Sequence, residues 1–322
     1  MEGQPEWRLE CGIQTHGKLS DRGGSTAPLD RGGKTMKRWL IALSIAGLTG
    51  ISGAAQAVNW WDLGNIKVGP AETLKQFHEY FKQRFPNMPL EKYALGSYAF
   101  NPEMYSQYQE AMQFNPGDLT LSAGQKLWDT PFKNGKTYAS CYPNGGKGVA
   151  THYPYFDDKT KTVVTIGTSI NACRSENGEA PLKYGSSDMV ALQTYLTSLS
   201  NGMPVAIQVS GPAATKAFEE GKAYYFMKRG QLNFSCASCH VAYPGKYLRD
   251  QILSPTVGES AHFPSYRAAW SSVNTLQKRI EGCNKNVGAE PQPLESVDYR
   301  NLEYFMSYLS NGIKINVPGY RP

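Results

Sequence analysis

Apolar residues fall at Leu192, Tyr195, Leu196 and Leu199, and again at Leu302, Phe305, Met306 and Leu309. This i, i+3, i+4, i+7 spacing marks one apolar face of a helix. The two stretches are copies, Tyr195-Leu-Thr-Ser-Leu-Ser-Asn-Gly202 against Phe305-Met-Ser-Tyr-Leu-Ser-Asn-Gly312, offset by 110 residues. The same offset pairs Cys173 with Cys283 and Asp188 with Asp298, so each helix is expected to be N-capped by its aspartate and stopped by its glycine. Upstream, Gly124-Gln-Lys-Leu-Trp128 matches Gly221-Lys-Ala-Tyr-Tyr225, a helical stretch whose glycine allows a second helix to come close. Tyr138-Ala-Ser-Cys141 and Asn233-Phe-Ser-Cys236 follow.

Each half therefore reads as helix, cysteine, connection, cysteine, closing helix. The connection spans 47 residues from Cys236 to Cys283 against 32 from Cys141 to Cys173. It is rich in Pro, Gly, Ser and Tyr, as befits a loop wrapped around a ligand. Residues Ala71 to Phe85 predict an additional helix, ended by Pro86-Asn87-Met88-Pro89. The expected fold is mainly α, with two tandem domains related by the repeat and a boundary near Met203-Pro204.

The longest apolar run, Trp39 to about Ile51, follows Met36-Lys37-Arg38 and leads to Ala55-Gln56-Ala57. These are the basic, apolar and small-residue parts of a secretory signal peptide, too short to span a membrane. Cleavage is expected after Ala57 and translation from Met36, the Gly-rich residues 1–35 carrying no apolar periodicity. The expected divisions are a leader (1–57), an N-terminal extension (58–90), a first domain (91–204) and a second (205–322). The leader holds seven Lys/Arg and five Asp/Glu, so the formal charge of +6 becomes +4 without it. No basic tract argues for nucleic acid. Cys11 leaves with the leader, and five cysteines remain, an odd number in an oxidising compartment.

Cys236-Ala-Ser-Cys239-His240 has the C-x-x-C-H spacing of covalent haem attachment. Two thiols form thioethers to the haem and the adjacent histidine is forced under the iron. The first half has Cys141-Tyr-Pro-Asn-Gly145 instead and cannot bind haem this way. The fold class is thus two cytochrome c-like domains, only the second binding haem, with one covalent haem c in all. A disulfide between Cys141 and Cys173 is expected in the half that lacks the cofactor, worth roughly 3 kcal/mol through loop closure. Cys283 is left alone. As sixth iron ligand it competes with Met306, Met227 and His262, of which Met306 sits on the core stripe of its helix. His152 and His78 are expected on the surface or in loops.

The duplicated pattern, the C-A-S-C-H motif and the segment Arg279-Ile-Glu-Gly-Cys283-Asn-Lys-Asn-Val-Gly-Ala-Glu-Pro291 together resemble SoxA, the larger subunit of the SoxXA cytochrome of thiosulfate oxidation. The resemblance covers the chain after its leader. It implies that Cys283 is both the distal haem ligand, opposite His240, and a catalytic residue carried as a persulfide. It also implies that Arg279 binds substrate. The chain departs from the two-haem members at Cys141 to Gly145. The implied reaction is oxidative joining of thiosulfate to a cysteine of the carrier SoxY, within SoxYZ. Its electrons pass to the small cytochrome SoxX, all in the periplasm. A plain electron-transfer cytochrome is the alternative.

Overall fold

The computed structural model describes residues 59–65 and 67–322. The leader, its start at Met36 and its cleavage after Ala57 lie outside the described residues. The chain is mainly helical. In order it forms α1 (Asp62–Asn65), α2 (Pro70–Arg84), α3 (Pro102–Ala111), α4 (Asp118–Asp129), β1 (Tyr155–Asp157), β2 (Thr162–Val164), α5 (Ile166–Glu176) and α6 (Ser187–Ser198). The second series is α7 (Gly211–Phe226), α8 (Cys236–His240), β3 (Tyr247–Leu248), β4 (Gln251–Ile252), β5 (Ser265–Arg267), β6 (Ser272–Asn274), α9 (Leu276–Asn286), α10 (Val297–Tyr308) and β7 (Gly319–Arg321). Antiparallel pairs β1–β2 and β5–β6 precede α5 and α9, and β7 adds in parallel to β5. The extra residues of the second connection include the β3–β4 hairpin.

Each closing helix packs on the helix that opens its half, α6 on α4 and α10 on α7. A Cβ on Gly124 would overlap the carbonyl oxygen of Ala191, and one on Gly221 that of Asn301. The glycines let each pair of backbones touch. The expected aspartate caps are corrected: Ser186 and Ser296 are the N-caps, their side chains accepting from the amides of Met189 and Tyr299. The serines have the extended backbone a cap requires, while Asp188 and Asp298 fall in the first turn, where a carboxylate meets the positive end of the helix dipole. His78 is also corrected, for it lies half-buried on α2, where burial lowers its pKa.

Trp128 stacks on Tyr138 and Tyr142 at 5.6 and 5.5 Å in the first half, over Ile170, Leu192 and Leu196. Cys141 and Cys173 are joined in a disulfide beside this cluster. The larger core of the second half holds Phe218, Tyr225, Tyr299, Leu302 and Phe305. Helix α2 contributes Phe77 and Phe81 to it, with Phe77 edge-on to Phe305 at 6.0 Å. Each such buried ring contributes about 1.5–3 kcal/mol.

Residues just after α6 and α10 pair with each other around an antiparallel bridge between Pro204 and Lys314. The amide of Gly202 donates to Ile315 O and that of Gly312 to Val205 O, both at 2.9 Å. Near this junction Glu303 accepts from Gln277 Nε2 at 2.7 Å. Burial, then the neighbouring Glu295, pushes Glu303 up to about 8. A carboxyl raised in the folded state stabilises it fully below its unfolded pKa, near 4.5, and that stability is lost as pH rises through about 8. The melting temperature should therefore fall between these limits, and Glu303→Gln should flatten the fall. Parallel melting curves for the two proteins across pH 5–8.5 would refute this assignment.

Candidate haem and sulfur site

Ser235 caps α8 reciprocally with Ser238: Ser238 N donates to Ser235 Oγ and Ser235 N to Ser238 Oγ, both at 3.1 Å. The single turn so formed places Cys236, Cys239 and His240 at i, i+3 and i+4, on one face. That face lines a crevice with about 790 Å³ of atom-free space, walled by apolar side chains including Leu248, Leu253, Leu276, Ile280 and Met306.

His240 Nδ1 lies 2.8 Å from Ser254 O, 3.2 Å from Ser254 Oγ and 3.6 Å from Glu259 Oε2. A donor bond from Nδ1 to a carbonyl makes Nε2 the ring nitrogen that can serve as a ligand once it is deprotonated. Burial works against a proton on His240, but Glu259 and then Cys283 outweigh it and bring the pKa up to about 9.

Helix α9 forms the opposite wall. Thr275 caps it, accepting from Lys278 N, and Leu276 and Ile280 bury its apolar side. Asn284 fixes its rotation, donating from Nδ2 to Tyr299 Oη at 2.7 Å and Tyr224 Oη at 3.3 Å. Arg279 and Cys283, one turn apart, consequently line the crevice, with Cys283 within hydrogen-bonding reach of His240.

The three cysteines free among the described residues separate chemically. Burial pushes Cys236 up to about 12 and raises Cys239, keeping both as neutral thiols. Burial also opposes ionisation of Cys283, but Arg279 and then His240 override it and hold its pKa below the ordinary thiol value. Thiolate character is what makes a cysteine a nucleophile or a metal ligand.

These residues fit a haem c: two thiols on one wall, a histidine with its outer nitrogen already engaged, an apolar crevice and a facing sulfur. Of the competing ligands, Met306 is buried and lines the crevice, Met227 is half-exposed outside it, and His262 accepts from Arg321 Nε at 3.1 Å.

The SoxA/TsdA cytochrome c domain model matches residues 123–205 and 220–315. The chain is 40% identical over 290 residues to the L-cysteine S-thiosulfotransferase subunit SoxA of Chlorobaculum thiosulfatiphilum, covering 89% of this chain and 99% of that one. It belongs to the SoxA family. Another member, the SoxA subunit of Allochromatium vinosum, is 41% identical over 254 residues, 78% of this chain and 90% of the relative. The crystal structure of SoxXA from P. pantotrophus superposes with a TM-score of 0.64 at 28% identity, covering 70% of this chain and 86% of that one.

Sequence reasoning missed Ser254 and Glu259, which hold His240, and Arg267, which lies beside Arg279 in a cleft adjoining the crevice. The repeat carried a signal for two of them. At the 110-residue offset the first half has Val149 and Asp157 where the second has Glu259 and Arg267, one charge gained and one reversed in the half with the C-x-x-C-H motif.

Proposed function

We propose that this chain is the haem-bearing subunit of a periplasmic L-cysteine S-thiosulfotransferase, with one haem c held by Cys236, Cys239, His240 and Cys283. The observation that carries the reading is Cys283 facing His240 across the crevice with Arg279 one helical turn before it. In this reading residues 91–204 are the domain that lost its haem, residues 205–322 the haem domain, and residues 1–57 the export leader. Bound there, a haem c supplies a centre whose thiolate ligand holds its potential low.

The remaining chemistry belongs to side chains. Arg279 offers fixed N–H donors to the sulfonate oxygens of thiosulfate. Cys283 Sγ exchanges sulfur bonds, through a persulfide, with thiosulfate and then with the SoxY cysteine of SoxYZ. The net change is one S–S bond formed: carrier–SH and thiosulfate give carrier–S–S–SO₃⁻, one proton and two electrons. The proton goes to solvent and the electrons to the partner cytochrome SoxX. Among the described residues no helix is long and apolar enough to cross a membrane.

The test is the intact mass of the exported protein before and after mild reductant, for wild type and Cys283→Ala. The expected mass is the chain from Val58 plus one haem, with about 32 Da of labile sulfur on the wild type alone. One haem, no labile sulfur in any preparation and unchanged iron ligation in the variant would favour the plain electron carrier, with Met306 as the ligand within reach.

A further inference from the structure

Next to the crevice, and sharing His240, Leu253, Glu259 and Arg279 with it, lies a second cleft of about 520 Å³ of atom-free space. Its far wall is made by β5 and β7. Their parallel register sets Arg267 beside Arg321, so two guanidinium groups project from adjacent strands. Arg321 is committed: Nε donates to His262 Nε2 at 3.1 Å, Nη2 to Ala94 O at 2.6 Å and Nη1 to Tyr320 O at 2.8 Å. Arg267 is different. It is only 8% exposed, its Nε has no hydrogen-bond partner, and its guanidinium lies 4.8 Å from the ring of Trp270. Burial, then Arg279, lowers its pKa to about 10, against smaller opposing effects of Cys283 and Tyr98.

Glu259, an acidic side chain in this cleft, is turned the other way, accepting from Ser254 Oγ at 3.2 Å and lying 3.6 Å from His240 Nδ1. A buried guanidinium N–H left without an acceptor is costly, so such a group is retained where an anion completes it.

Resting on the haem reading above, we propose that the haem's own carboxylates complete this cleft, with Arg267 as the principal partner of a propionate and Arg321 held beside it as the second cation. The macrocycle's shape carries the argument. Haem bears its vinyl groups on one edge and its propionates on the other. Cys236 and Cys239 lie on the crevice side and take no part in the cleft, whereas the arginines line the cleft beyond His240. Thioethers to the two cysteines therefore turn the propionate edge toward Arg267. A planar fork of N–H donors suits a carboxylate.

The experiment uses the haem-loaded protein, its covalent haem first verified by mass, so that absence of haem counts against the preceding reading and not against this one. In Arg267→Gln the resonance Raman propionate bending band should shift and the reduction potential should fall as a nearby cation is lost. Arg267→Lys, which keeps the charge but not the fork, should keep the potential near wild type and still shift the band. A band at the wild-type frequency in either variant would overturn the assignment. So would a KM raised tenfold with the potential unmoved, which would make the cleft a subsite for the substrate anion.

Discussion

Cys283→Ala is expected to slow transfer of thiosulfate to the carrier cysteine by on the order of a thousandfold or more, the usual consequence of deleting a nucleophile. Haem attachment through Cys236 and Cys239 should persist, because neither thioether involves α9. The reason for so large an effect is that no other sulfur can substitute. Cys236 and Cys239 would be taken up as thioethers to the haem, and Cys141 and Cys173 are joined to each other. Among the described cysteines, Cys283 alone is biased toward the thiolate, by Arg279 and His240 against the opposing effect of burial. Steady-state transfer to SoxYZ, with the haem content of each preparation measured in parallel, checks the outcome. A variant that retains its rate within tenfold would remove Cys283 from the chemistry.

The second large effect is on stability. Replacing both Cys141 and Cys173 by serine should cost about 3–4 kcal/mol, as expected for opening a loop of 32 residues. The bridge sits in the half that has no C-x-x-C-H motif. Trp128, Tyr138 and Tyr142 stack in its place, and Asn177 Nδ2 donates to Cys141 Sγ at 3.4 Å and Cys173 O at 2.8 Å. Aromatic stacking fills volume but does not tie α5 to the turn before it, which the disulfide does covalently. Denaturant unfolding followed by near-ultraviolet circular dichroism should show the loss, with the haem absorption spectrum of the native variant unchanged. A loss below about 1 kcal/mol would mean that packing alone holds this half.

The candidate site was legible where local chemistry forces local geometry. Any C-x-x-C-H on one helical turn presents its three side chains on one face, so the attachment residues needed no tertiary information. Cys283 stood out by being odd in number and by matching Cys173 in the repeat. Ser254, Glu259 and Arg267 did not stand out, because their roles depend on a loop and a strand folding back over α8. A buried glutamate or arginine has the same sequence appearance as a solvated one.

The fold divides along the same line. Helix periodicity, the two close-approach glycines Gly124 and Gly221, and the stop of α2 before Pro86 are consequences of short-range sterics and spacing, and the chain by itself determined them. The capping residues were misread by two positions, since the choice between Ser186 and Asp188 turns on which residue adopts the extended backbone at the helix entrance. Only the tertiary structure decided where the N-terminal segment goes. Helix α2 precedes the first half in sequence, yet it packs Phe77 and Phe81 into the core of the second, and Tyr80 Oη donates to Val241 O at 3.0 Å, just after the C-x-x-C-H turn. Ala94 and Asn115 likewise bond to the C-terminal strand region, through Arg321 and Pro318 O. Apolar burial is non-directional, so a sequence states that a face must be covered, and the surfaces available when the chain collapses determine what covers it.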